Sequence, residues 1–398
     1  MQILITQYDM PIVFFILAPF LTFAYCCGNL HRRVCQVVVV LFFALFGYCH
    51  TFEDTRADSH RKYESFTQYR AKEYSEIISE FRAGEVKDIY EDVLFTTLKQ
   101  FTNNPHILML FVGLFGGFFY MLVIKRFLED RRMRYTMPII ILLAFMVIES
   151  NISLMGGIRN FTAFPLFMYS TISLLVDNKK WWIVGILLTP LIHFGYIVAV
   201  VATLFIWLVR IPSGIMHYVA IVACIGSIFL DTSSYAGAID TFAEIFDNEA
   251  ITERVSNYGE EDTEIHFQQS LTTRLTHINN QLSAIFIASF LIYIHRQRRS
   301  LRQTPYDQKL YNYLLFFIIF SFSLISFSVV GQRFVYIAMV FLYLYMLNIY
   351  QHNQTSAVRI FIWLMPLVYA IHIAWTLYNC YCNVGIGVLY QPLPFLLL

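Results

Sequence analysis

Residues 105–124 read PHILMLFVGLFGGFFYMLVI, and the ten residues that follow read KRFLEDRRMR. The first stretch carries no Asp, Glu, Lys or Arg, and as an α-helix it would be about 30 Å long, the thickness of a bilayer's hydrocarbon core. The second stretch contains five Lys or Arg residues. Together they predict a helix that crosses a membrane and ends in a basic cytoplasmic loop.

The rest of the chain repeats this pattern. Of its 398 residues, 58% are hydrophobic and 14% are charged, whereas a soluble domain carries about 25% charged residues. Apolar blocks recur at 10–28, 34–50, 105–124, 136–153, 160–176, 181–209, 214–230, 279–295, 310–330, 334–350 and 358–378. We therefore predict an all-α, polytopic integral membrane protein in which residues 1–398 form a single membrane domain. The first block lacks a basic start and a small-residue cleavage site, which predicts a retained span.

Basic residues in the short loops give the predicted orientation. The dense clusters are His31–Arg33, Lys125–Arg134, Lys179–Lys180 and His295–Arg302. The positive-inside rule places all four in the cytoplasm. The longer segments, 51–104 and 231–277, then lie outside the cell membrane.

The block 181–209 is too long for one level span and too short for two. It contains Pro190, His193 and Gly195 near its middle, and irregular backbone is tolerated at membrane depth where protein or water surrounds it. We predict a helix–break–helix hairpin that returns to the cytoplasm at Arg210. The total is then about twelve transmembrane or re-entrant helices, with both termini outside.

Both outer segments are predicted to contain helices. In 51–104, apolar residues recur at helical spacing over 66–81 and again over 86–98, which predicts two amphipathic helices. The segment 231–277 is acidic and includes several aromatic residues. A solvated loop with one or two short helices is an equally open interpretation of that second segment.

Polar residues near membrane depth are costly and are therefore the candidates for function. By the predicted orientation, Arg159, His193 and Arg333 lie near the outer interface, with Asp58, Arg61 and Tyr63 just outside the second span. A guanidinium stays charged and can bind two phosphate oxygens at once, so Arg159 and Arg333 suit a phosphate or diphosphate. An imidazole titrates near neutrality, so His193 suits a general base.

Each candidate also has a structural interpretation. The arginines could extend to the interface as membrane-flanking residues, and Asp58 could simply be solvated. His193 could satisfy the backbone carbonyl that Pro190 leaves without a donor. Glu149 is an acidic residue near the end of the fourth span and is a candidate partner for Arg159.

Other classes of protein are disfavoured. The seven cysteines suggest neither a disulfide framework nor a zinc site, and the net charge of +1 does not suggest a nucleic-acid partner. The chain has no Walker loop, no dinucleotide-binding glycine pattern, no His-Glu-x-x-His and no Gly-x-Ser-x-Gly. We expect no metal and no cofactor.

Several short motifs, in this order and on one predicted side of the membrane, resemble those of the EpsG-type branch of the Wzy polysaccharide polymerases. The resemblance covers most of the chain. Its motifs are Asp58-Ser59-His60-Arg61-Lys62-Tyr63, the run from Lys99 to His106, Gly157-Ile158-Arg159, His193 near a helix break, Arg254 with Tyr258, and Arg333 with Tyr336. The chain departs from the family pattern after Arg159 and after His193, where it has Asn160 and Phe194-Gly195.

The resemblance implies an inverting glycosyl transfer that polymerises O-antigen, capsule or exopolysaccharide at the outer face of a bacterial inner membrane. The substrates would be donor and acceptor oligosaccharides linked to undecaprenyl diphosphate. Arginines would bind the diphosphate and His193 or Asp58 would accept the proton. Arg61, Tyr63, Arg254, Tyr258 and Tyr336 would bind substrate. A chain-length regulator and a flippase of the same pathway are further expected partners.

Three other interpretations stay open. A flippase or transporter would place Arg and His in a similar bundle, but it predicts a midplane site and two related halves. A ligase or acyltransferase of the envelope shares the broken helix and the outer arginines. A scaffold of an export complex would leave Arg159 and Arg333 freely replaceable.

Overall fold

The computed structural model describes residues 10–52, 58–127, 136–149, 155–209, 213–229, 271–297, 301, 304–325, 328–353 and 356–397. Its helices are α1 (Met10–Leu17), α2 (Pro19–Cys27), α3 (Arg33–Tyr48), α4 (Asp58–Gln68), α5 (Tyr74–Ala83), α6 (Tyr90–Lys99), α7 (Pro105–Phe127), α8 (Met137–Ile148), α9 (Ile158–Leu175), α10 (Ile183–Ile192), α11 (Ile197–Leu208), α12 (Ser213–Gly226), α13 (Leu271–Gln297), α14 (Pro305–Ser323), α15 (Ser328–Asn353), α16 (Ser356–Val368), α17 (Ala370–Val384), α18 (Gly387–Tyr390) and α19 (Leu393–Leu396). No strand occurs among these described residues, and the all-α prediction is confirmed.

Three described helices are long and apolar enough to cross a membrane. They cover Pro105–Arg126, Arg274–Gln297 and Phe334–Gln351. A fourth span would join Val358–Val368 to Ala370–Val384 across a bend of 51°. Shorter apolar helices cover Arg33–Tyr48, Met137–Ile148, Lys180–Ile192, Phe194–Leu208 and Gly214–Gly226. These helices fit a membrane protein, and the count of about twelve crossings stays a prediction.

The chain divides into two compact units. The first is Met1–Leu204 with Trp375–Leu398, and the second is Phe205–Ala374. The single membrane domain over residues 1–398 stays a prediction.

In the first unit, α3 and α7 pack against each other at very close range. Gly47 lies against the carbonyl of Met109, and Gly113 lies against the carbonyl of Phe43, so a Cβ on either glycine would collide with backbone. Glycine permits this approach because it has no side chain. The two contacts also show that α3 and α7 run antiparallel.

The basic clusters of this unit lie at one end of it. Arg126 near the end of α7 pairs with Asp177 just after α9, and Lys179 approaches Asp177 at 3.7 Å. Because α3 runs opposite to α7, Arg33 at the start of α3 lies at this end as well. This grouping agrees with the predicted cytoplasmic clusters, and the side of the membrane that they face stays a prediction.

The segment 51–104 leaves α3 at the opposite end. Its described part forms three helices, α4 to α6, where the periodicity predicted two. Residues 69–73 separate α4 from α5, and the Tyr69 hydroxyl there donates to Asp92 on α6 at 2.9 Å. This hydrogen bond fixes the connection between α4 and α5, which lies within the run 66–81 that we predicted to be one continuous helix.

The predicted break within 181–209 is confirmed. The helix α10 ends at Ile192, His193 has extended backbone, and a 3₁₀ helix over Phe194–Tyr196 leads into α11. Arg210, where the chain was predicted to re-enter the cytoplasm, lies outside the described residues.

The second unit contains α12 to α16. The helix α14 begins with a capping box in which the Thr304 hydroxyl accepts from the backbone of Asp307 and the Asp307 carboxylate accepts from the backbone of Thr304. The helix α15 packs along α14. The end of the predicted acidic segment 231–277 forms the start of α13, and residues 231–270 lie outside the described residues.

Candidate active site

Arg159 lies in the first turn of α9, directly after two glycines. A Cβ on Gly156 would lie 2.9 Å from the backbone nitrogen of Ser59, which is closer than two such atoms can pack. The start of α4 therefore lies against the loop that leads into Arg159.

Arg159 is held by two carboxylates. One belongs to Asp88, just before α6, and the other to Glu91 in the first turn of α6. Nη1 of Arg159 lies 3.0 Å from Oδ2 of Asp88, and its Nε lies 3.5 Å from Oε1 of Glu91. The side chain of Asp88 is 5% exposed, whereas that of Arg159 is 28% exposed. The Nη2 of Arg159 has no hydrogen-bond partner in the described part of the chain. A buried carboxylate thus orients a guanidinium whose other edge remains able to donate.

Lys62 on α4 joins the same cluster through an ion pair with Glu91. The cluster therefore combines two cations, Arg159 and Lys62, with the carboxylates Asp88 and Glu91. Their charges balance, so an anionic ligand would bind by exchanging with one of the carboxylates or by using the remaining donors of the two cations.

Arg159 finds its carboxylate partners in Asp88 and Glu91 rather than in Glu149, which we had considered. Glu149 is buried at the end of α8. Asp88, Glu91 and Lys62 were not among the predicted site residues. Asp88 and Glu91 stand in a stretch that also contains Lys87 and Asp92, so no local pattern marked them as the partners of a distant arginine.

Asp88 also contacts the helix break that carries His193. Its Oδ2 lies 3.4 Å from the backbone nitrogen of Phe194, and the adjacent Ile89 N–H donates to the Leu191 carbonyl at 3.1 Å. The same short segment is therefore tied to the start of α9 and to the break after α10. This brings Arg159 and His193, two of the predicted site residues, into one neighbourhood.

The backbone carbonyl that Pro190 leaves without a donor has a partner other than His193. Pro190 has no N–H, which leaves the carbonyl of Ile186 without its helical donor. The hydroxyl of Thr189 donates to that carbonyl at 2.6 Å. The structural role that we considered for His193 is thus filled by Thr189.

Burial raises the pKa of the Asp88 carboxyl above its ordinary value of 3.8, while the charge of Arg159 and the N–H of Phe194 act in the opposite direction. Glu91 adds a smaller upward effect because two neighbouring carboxylates repel each other. The raised pKa means that desolvation outweighs the stabilisation from Arg159. The environment of Asp88 therefore disfavours the charged form of its carboxyl group, and such shifted pKa values are typical of functional sites.

A second layer of hydrogen bonds fixes α9 against its neighbours. The Tyr196 hydroxyl donates to Oδ1 of Asn160 at 3.0 Å. The hydroxyls of Tyr90 and Thr162 are 3.0 Å apart. These contacts hold the break and α6 in register with the turn that carries Arg159.

Asp58, Arg61 and Tyr63 all lie on α4. Asp58 and Arg61 form an ion pair with each other one turn apart, and both side chains are mostly exposed. Tyr63 faces a different direction and stacks on Phe52, with ring centroids 5.1 Å apart. Lys62, between them in sequence, is the residue of this motif that contacts the Arg159 cluster.

Residues 34–383 match the EpsG family. The chain belongs to the EpsG family. The match spans nearly the whole chain and includes every residue of the Arg159 cluster. It makes this a membrane protein of polysaccharide biosynthesis. Searches of curated proteins and of solved structures gave no match.

Of the remaining predicted site residues of this EpsG-family chain, Arg333 and Tyr336 belong to the second unit. Arg333 and Tyr336 are part of α15, and the Tyr336 ring lies 6.0 Å from that of His372. Arg254 and Tyr258 lie outside the described residues. Convergence of Arg159 with Arg333 stays a prediction.

No three His, Cys, Asp or Glu side chains in the described ranges are grouped so that they could hold a metal ion. The chemistry that this site of an EpsG-family protein offers is a partly exposed guanidinium, a nearby ammonium and an imidazole at a helix break. Such groups can bind an anion and accept a proton.

Proposed function

We propose that this protein polymerises oligosaccharide repeat units linked to undecaprenyl diphosphate at the outer face of the bacterial inner membrane. The observation that carries the proposal is the position of Asp88. One of its oxygens contacts both Arg159, the proposed anion-binding group, and the backbone of Phe194, the residue next to the proposed proton acceptor His193.

The reaction would be a displacement at the anomeric carbon of the donor glycan. A hydroxyl of the acceptor sugar attacks that carbon, the bond from the carbon to the diphosphate oxygen breaks, and the configuration inverts. The hydroxyl proton passes to His193. The diphosphate lipid leaves with the negative charge that develops on its oxygen.

Arg159 would stabilise that developing charge. Its Nη2 edge has donors to offer, and Asp88 and Glu91 fix the plane of the guanidinium before substrate arrives. Such preorganised donors contribute strongly because they need no reorganisation during the reaction, and removal of one costs about 10²–10³ in rate. Arg333 is proposed to act on the same diphosphate.

The proposal is tested by Arg159→Gln and Arg333→Gln in cells that depend on this protein for their surface glycan. We expect the ladder of polymer lengths on a gel to be replaced by single repeat units, because the leaving group loses its cation. Arg159→Lys should recover little, since an ammonium lacks the planar fork. Arg82→Gln is the matched control, because Arg82 is an exposed arginine on α5 away from the cluster.

Membrane amounts of each variant must equal those of the wild type. An intact ladder in Arg159→Gln at normal amounts would overturn the proposal. Accumulation of lipid-linked repeat units on the inner leaflet would also overturn it, and would indicate a flippase instead.

A further inference from the structure

A cleft separate from the Arg159 cluster opens beside α4 in the first unit. It has a volume of about 740 Å³, within the range of roughly 300–1,000 Å³ that small-molecule sites occupy. It lies where α3 ends, where α7 begins and where the short helices α18 and α19 return. The lining residues on which the inference rests are Tyr48, Phe52, Tyr63, His106 and Gln391.

Aromatic rings form one wall of this cleft. Phe52 stacks on Tyr63 with ring centroids 5.1 Å apart and planes 29° from parallel. His106 lies 5.1 Å from Phe52 and 5.5 Å from Tyr48 by the same measure. Tyr63 is 36% exposed, so this part of the aromatic wall is accessible to a ligand.

The polar groups around this wall are neutral hydrogen-bonding groups. Among the described residues that line the cleft there is no Asp, Glu, Lys or Arg. The Gln391 amide and the Tyr63 hydroxyl offer both donors and acceptors, whereas the Thr51 hydroxyl donates to the Asn383 carbonyl at 3.0 Å and remains an acceptor. Nδ1 of His106 lies 2.8 Å from the carbonyl of Tyr48 and must donate to it. In the neutral ring, Nε2 of His106 is then an acceptor.

This combination fits a sugar better than a lipid chain or a diphosphate. The face of a pyranose presents weakly positive C–H groups that pack on the negative face of an aromatic ring. Its hydroxyls can form hydrogen bonds with the neutral donors and acceptors at the rim. An isoprenoid chain would leave those polar groups without partners, and a diphosphate would find no cation among the described lining residues.

The helix α4 connects this cleft to the Arg159 cluster. Lys62 contacts Glu91 in the cluster, and the next residue, Tyr63, lines the cleft. We propose that the cleft binds a glycosyl residue of the repeat unit while the cluster binds its diphosphate; the assignment of the sugar to a repeat unit rests on the proposed function.

The test measures binding of a lipid-free oligosaccharide to the purified full-length protein in detergent. The probe is the oligosaccharide released by mild acid from the cell's own lipid-linked repeat units, and binding is followed by saturation-transfer NMR. We expect Tyr63→Leu and Phe52→Leu to weaken binding roughly fivefold to tenfold, because each removes an aromatic face. Tyr74→Leu is the matched control, since Tyr74 is an exposed tyrosine on α5 outside the cleft.

Arg159→Gln separates this inference from the proposed function. It should bind the oligosaccharide as the wild type does while making no polymer. Equal binding by Tyr63→Leu, or no binding by the wild type, would overturn the sugar site and leave the ladder experiment unaffected. If Tyr63→Leu instead lost binding of a short isoprenoid alcohol and kept the sugar, the cleft would be a lipid site and the inference wrong. Thermal unfolding of each variant checks that it is folded.

Discussion

Nη1 of Arg159 and the backbone nitrogen of Phe194 both lie against the same oxygen of Asp88, at 3.0 Å and 3.4 Å. The side chain of Asp88 is buried and that of Arg159 is partly exposed. The guanidinium is therefore the accessible member of the pair. Asp88, which belongs to the segment 51–104, thus fixes the relative position of two other elements, the start of α9 and the break after α10.

Asp88→Asn should flatten the pH dependence of stability. Burial raises the native pKa of Asp88 above its ordinary 3.8, so the native state binds a proton more tightly than the unfolded state does. The stabilisation by the neutral carboxyl is therefore complete below about pH 3.8 and is lost as the pH rises through the raised native pKa. We expect the unfolding temperature of the wild type in detergent to fall over this window relative to that of Asp88→Asn. Parallel curves for the two proteins would contradict the pKa shift.

The same substitution should reduce chain extension. An amide keeps the shape of Asp88 but cannot hold Arg159 by charge, so the guanidinium loses its fixed orientation. The expected signature is a fall in the rate at saturating substrate with a smaller change in the apparent affinity, as positioning of a catalytic cation requires.

The helix break and the presence of helices in the segment 51–104 could be predicted from the sequence because they depend on local chemistry. Pro190 removes a backbone donor and Gly195 has a low helix propensity. The helix α10 ends at Ile192, directly before the extended backbone of His193. The number of helices in 51–104 was wrong because Tyr69 binds Asp92 across the segment. No local pattern in a single sequence reports such a contact.

For the same reason, the sequence predicted Arg159 as a site residue but not its carboxylate partners. Arg159 was a candidate because a charge beside an apolar helix is costly. Its partner Asp88 looked like one more acid in a polar segment, and only the packing of that segment onto α9 makes it buried. Likewise Glu149 is close to Arg159 in sequence, yet the fold brings a more distant carboxylate to it.

Gly156→Ala should disturb the site by moving α4. The added Cβ would lie 2.9 Å from the backbone nitrogen of Ser59, and backbone cannot move aside cheaply, so we expect a loss of roughly 1–3 kcal/mol in stability. Polymer output should fall as well, because α4 carries Lys62 into the cluster. Gly214→Ala is the control, since a Cβ there meets nothing within 4 Å. Equal unfolding temperatures for the two variants would show that the close approach of Gly156 and Ser59 does not constrain the protein.

Thr189 and Pro190 should be energetically coupled. The Thr189 hydroxyl donates to the Ile186 carbonyl at 2.6 Å, and that carbonyl lacks a backbone donor because residue 190 is a proline. Thr189→Val keeps the shape but leaves a buried acceptor unsatisfied, at a cost of about 1–3 kcal/mol. Pro190→Ala restores the backbone N–H, so Thr189→Val should cost much less in that background. Unfolding temperatures of the wild type, both single variants and the double variant form the cycle that measures this coupling. If Thr189→Val costs the same with proline and with alanine at position 190, the hydroxyl does not repair the break, and the position of His193 must be fixed by other contacts.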